Sequence, residues 1–158
     1  MLRRSAFPRV ALLVTILPFN VVCSDPHARF PMPADGADLS ILRQFVVDDS
    51  REHRRMRVVV RDAAAWARLP LIDERIDFER EMALIVTLGR VVRRGYSVRI
   101  TRVRRDGPVL RVEATVESPP PDAPPEICAP FCVAVIPRCD LRVAGFDAAP
   151  PPAKLPGS

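Results

Sequence analysis

The sequence predicts a small α+β domain, mainly antiparallel sheet with one short helix. Three stretches carry that expectation. Leu110, Val112, Ala114 and Val116 alternate strictly with Arg111, Glu113, Thr115 and Glu117, the period of a half-buried strand. Met82 to Leu88 is almost continuously apolar, as a strand covered on both faces would be. Asp62, Ala63-Ala64-Ala65-Trp66-Ala67 and Pro70 together read as cap, helix and stop.

Taken in order, Ile41 to Val47 is the first expected strand. Met56 to Val60 is the second, with Met56, Val58 and Val60 on one face. Alanine and leucine favour helix over 63–69, where Trp66 and Leu69 share a face toward the core. The strand over 82–88 ends at Gly89, and another runs from Tyr96 to Arg105. Val103 falls out of phase with Val98 and Ile100, which places a bulge near Thr101-Arg102. Asp106-Gly107-Pro108 turns the chain into the strand 109–117, completing a hairpin. Ser118 to Pro130 holds six prolines and is expected to be irregular, because proline cannot donate to a sheet ladder. Phe131 to Ile136 is the last expected strand, stopped by Pro137.

Outside this domain, assigned to residues 41–146, the ends differ in character. Arg3, Arg4 and Arg9 precede a 13-residue apolar stretch, Val10 to Val22, and then Cys23-Ser24-Asp25-Pro26. That order is a secretory leader over residues 1–23. As a helix the stretch would reach only about 20 Å, short of a ~30 Å hydrocarbon core. Cys23 has two readings. It stands where a lipoprotein's lipidated cysteine would stand, yet Val21-Val22 replace the small residues usual before it, so ordinary cleavage nearby is the other reading. Residues 24–40 are proline- and aspartate-rich and read as a linker, and residues 147–158 as a disordered proline-rich tail. The expected product is an exported bacterial protein, periplasmic, extracellular or lipid-anchored.

Charge does not point to nucleic acid. Of the formal +5, three basic residues lie in the leader, so the remainder carries about +2. The local basic run Arg90, Arg93, Arg94 has only Tyr96 as an aromatic neighbour, whereas single-stranded nucleic acid is gripped by interleaved aromatics. No catalytic, metal or cofactor pattern stands out. His27 lies in the linker and His53 in a charged run, so a Cys–His pair with Cys128 or Cys132 has no local support. Cys128, Cys132 and Cys139 lack a fourth ligand for zinc. In an oxidising compartment they are instead disulfide candidates, or else buried thiols. Asp73, Glu74, Asp77, Glu79 and Glu81 are interleaved with Arg75 and Arg80, as in a salt-linked surface segment.

Val58 to Arg138 resembles the C-terminal domain of the PrcB protease-complex subunit family of exported bacterial proteins. The residues are Val58-Val59-Val60, then Ala65-Trp66, Ile76-Asp77-Phe78 leading to Met82, Leu88-Gly89-Arg90, Gly95-Tyr96-Ser97-Val98-Arg99-Ile100, a hairpin, a proline loop and Pro130 to Pro137. Arg94 stands where the family commonly has a first glycine, and Cys132 where its last strand carries polar or aromatic residues. The resemblance implies an accessory or stabilising partner of an exported protease, not a catalyst. A second resemblance, carried by Gly95-Tyr96 and the β-rich pattern, is to chagasin-like protease inhibitors.

The expected function is therefore a non-enzymatic protein-interaction domain without cofactor, whose partner is another exported protein. Arg93, Arg94, Gly95 and Tyr96 are the candidate contact residues, with the proline loop 119–125 as a second surface. Direct protease inhibition through a Gly-Tyr loop is the alternative.

Overall fold

The computed structural model describes residues 30–69 and 71–148; the leader, Cys23 and the chain beyond Ala148 lie outside them. Ten strands and one helix follow in the order β1 (Arg43–Val47), β2 (Arg55–Val60), α1 (Ala63–Ala67), β3 (Glu81–Leu88), β4 (Val91–Arg93), β5 (Ser97–Asp106), β6 (Val109–Glu117), β7 (Pro125–Cys128), β8 (Phe131–Pro137), β9 (Arg142–Val143) and β10 (Asp147–Ala148). The fold is mainly β and mostly antiparallel, with one short helix, as expected.

A five-stranded sheet in the order β1-β8-β3-β2-β10 is the middle layer. Its central strands, β3 and β8, are buried on both faces, which is why both read as apolar runs without alternation. On one face the β5–β6 hairpin and β9 form a three-stranded sheet, with β5 lying across β1, β3 and β8. Met82, Leu84, Val86, Cys132, Ala134 and Ile136 meet Val98, Ile100, Val103 and Leu110 there. On the other face Ala83, Ile85, Phe131, Val133 and Val135 are covered by α1 and the connector that follows it. Thr87 is the buried polar exception: its hydroxyl accepts from the Met56 N–H at 2.9 Å and donates to the Arg54 carbonyl, so it costs little.

Local chemistry explains the elements. The Asp62 carboxylate accepts from the Ala65 N–H at 2.7 Å, capping α1. The hairpin register shifts between Ile100 and Arg102, which is the bulge that returns Val103 to the buried face.

Four features depart from expectation. The basic segment after Gly89 and the end of the proline loop are not irregular, because β4 and β7 pair as a two-stranded ribbon. Pro125 is tolerated as the first residue of β7, where no ladder donor is needed. Asp147 and Ala148, read as the start of the tail, pair in parallel with Val58 and Val59. The end of the linker lies against β5: Leu39 N–H donates to the Val103 carbonyl at 2.8 Å, and Asp38 holds Arg102 through two hydrogen bonds. The short β9 adds a parallel edge to β6.

Candidate interaction surface

The ribbon extends from the end of the middle sheet where β3 stops and β8 starts. Gly89 makes the first joint, with φ at +70°. The second joint is held by the Leu88 N–H donating to the Pro130 carbonyl at 3.0 Å and the Ala129 N–H donating to an Asp49 carboxylate oxygen at 2.9 Å. Val91 is opposite Cys128 and Arg93 opposite Pro125, so Val92 faces the bulged Glu126-Ile127 stretch. Cys128 turns inward, and its thiol reaches the Arg93 carbonyl at 3.5 Å.

Val92 and Ile127 do the opposite: they are 71% and 58% exposed. Single exposed aliphatics are ordinary, but two on facing strands of a projecting ribbon form a small apolar patch with backbone edges beside it. Neither was expected from the sequence. The signal was present in the β-branched pair Val91-Val92, but the surrounding arginines masked it.

The expected contact residues gather around this patch. Arg93, Arg94 and Gly95 are exposed, and Tyr96 is half-buried. Arg93 donates to the Pro121 carbonyl at 3.1 Å, and Arg94 pairs with Glu126 at 3.5 Å. Gly95 has φ at +100°, and a Cβ there would lie 3.1 Å from the Pro119 side chain. The two surfaces expected separately, residues 93–96 and the loop 119–125, are thus one continuous surface. Arg94 is paired with Glu126, whereas Arg93, bonded among the described residues only to a neutral carbonyl, keeps its charge uncompensated beside the patch.

The other sequence candidates lie elsewhere. His53 is exposed, on the loop that Gly89 packs against. Of the two readings the sequence left open for the three cysteines, disulfide or buried thiols, the structure has the second: all three are free and buried. Cys132 sits in β8, in contact with Gln44 Nε2 at 3.1 Å, while Cys139 lies beyond the far end of that strand. Seven residues of extended chain span about 23 Å, against a Cα separation of about 4.4–6.8 Å in a disulfide. Burial pushes all three thiols up; at Cys128 the carboxylates Asp49, Glu126 and Asp48 add to it. That direction is opposite to what a thiolate nucleophile needs. Among the described residues no group of three or more His, Cys, Asp or Glu side chains could hold a metal ion, and no helix is long and apolar enough to cross a membrane.

Compared with known proteins, the chain matches no family model, no curated protein and no solved structure. The resemblance to the PrcB C-terminal domain rests on the residues quoted for it alone.

Proposed function

We propose that this is a non-catalytic interaction domain that binds another exported protein through the β4–β7 ribbon. The observation that carries the proposal is the exposure of Val92 and Ile127 on the facing strands of a ribbon that belongs to neither packed sheet. Burying those side chains would add little to the fold and would gain free energy only against a partner. The flanking Arg93, Arg94 and Glu126 supply a polar rim around a small apolar centre, the usual anatomy of a protein interface. A secretory leader over residues 1–23 would place the domain and its partner outside the cytoplasm. The PrcB resemblance suggests a protease as the partner class, with the domain as accessory. Direct inhibition through the Gly-Tyr connection between β4 and β5 is supported less, since Tyr96 is half-buried there.

The test is affinity capture from cell-envelope extract with the parent protein and with Val92→Asp and Ile127→Asp variants as baits. The parent should enrich one envelope protein, and each variant should bind it roughly 30-fold more weakly, the effect of losing about 2 kcal/mol at a central contact. Equal capture by variants of unchanged melting temperature would refute the ribbon as the contact.

A further inference from the structure

A groove of about 790 Å³ opens on the helical side of the middle sheet, between α1 and the connector over residues 71–78. Trp66 and Phe78, packed on each other with ring centroids 6.4 Å apart and planes at 55°, give it one aromatic wall. Leu71 and Ile72 are half-buried along it. Its shape is held from two sides. The Trp66 indole N–H donates to the Glu74 carbonyl at 3.0 Å, and the Arg43 guanidinium reaches a Glu74 carboxylate oxygen at 3.3 Å and the Arg75 carbonyl at 3.4 Å. A rigid, aromatic-lined, open groove is the kind of site that takes an extended proline-rich segment.

The fold aims such a segment at it. β10 runs parallel to β2, with Ala148 opposite Val59, and β2 leads through Arg61 and Asp62 into α1. A parallel neighbour travels in the same direction, so at Ala148 the strand points along β2 toward the start of α1, whose Ala63 lines the groove. The residues from 149 to 158 are Ala-Pro-Pro-Pro-Ala-Lys-Leu-Pro-Gly-Ser. In a polyproline helix ten residues span about 31 Å, against about 7.5 Å for a five-residue α-helix. The segment therefore has ample reach, and its prolines lose little conformational entropy on docking. The groove is lined by two arginines, Arg51 and Arg75, and two acids, of which Glu74 is held by Arg43, so Asp73 is the acid left to meet a cation. Lys154 is the sole lysine of the chain, and Asp73, exposed on the groove rim, forms no ion pair among the described residues.

We infer that the groove is the docking site of the chain's own C-terminal segment, Pro150–Pro156, bound in cis as an extended polyproline strand across Trp66. The proposal is independent of the ribbon and its partner.

Trp66 is the chain's single tryptophan, so its emission reports the groove directly. The protein is compared with a full-length Pro150→Ser/Pro151→Ser/Pro152→Ser variant and with a chain ending at Ala148, circular dichroism checking that each is folded. Ligand grooves bury most of what they hold, so both variants should show red-shifted emission and roughly twofold greater acrylamide quenching. A synthetic peptide of residues 149–158 should reverse both changes saturably in the shortened chain. Identical emission and quenching in all three proteins would overturn the proposal, as would a peptide without effect. Protection that disappears on dilution would put a second copy's segment in the groove and overturn docking in cis.

Discussion

Gly89 occupies a left-handed conformation at the joint between the middle sheet and the ribbon. A Cβ there would stand 3.0 Å from the Arg55 backbone nitrogen and 3.2 Å from the His53 carbonyl. Alanine therefore meets both a conformational penalty of about 1–2 kcal/mol and backbone that cannot step aside cheaply. Gly89→Ala should lower unfolding free energy by at least that amount in urea titrations; an unchanged midpoint would contradict the joint's geometry. The buried thiols make a second residue-scale prediction. In the folded chain Cys128, Cys132 and Cys139 keep their protons at a pH where an unfolded thiol, with its ordinary value of 9.0, ionises. Above about pH 9 the folded state thus binds more protons than the unfolded one, so stability is full below that point and falls as pH rises. Melting temperatures from pH 7.5 to 10 should show the decline, and Cys132→Ala should make it shallower.

The elements most legible in the sequence were those whose pattern owes little to partners. The β5–β6 hairpin, its bulge, the apolar β3 and the capped α1 all follow from alternation, a turn and one aspartate. The illegible elements, β4, β7, β9 and β10, have two to four residues each, too few for a period. They exist because longer strands or a joint present edges to them. The candidate surface was legible in the same proportion. Arg93, Arg94, Gly95 and Tyr96 became candidates through a local basic run and the Gly-Tyr pair, but Val92 and Ile127 needed the pairing of β4 with β7. At this scale α1 offers its own test. With five residues it is too short to persist alone, so its cap and its packing must both contribute. Asp62→Ala should cost about 1 kcal/mol, read by urea denaturation followed at Trp66.

At the scale of the whole molecule, the stacking of sheet on sheet and helix on sheet leaves the exposed ribbon side chains outside the packed cores. The two apolar clusters, on opposite faces of the five-stranded sheet, contain neither Val92 nor Ile127. Under the proposed function, Val92 and Ile127 would vary without unfolding the domain, and stability and recognition would rest on different side chains. That separation is the central claim, and amide hydrogen exchange tests it most directly. Exchange is measured on the protein alone and in complex with the envelope protein it captures. The account predicts new protection over residues 91–96 and 119–128, with the middle sheet unchanged. Protection confined to the groove beside α1 or to the free edge of β1, with the ribbon exchanging as before, would contradict it.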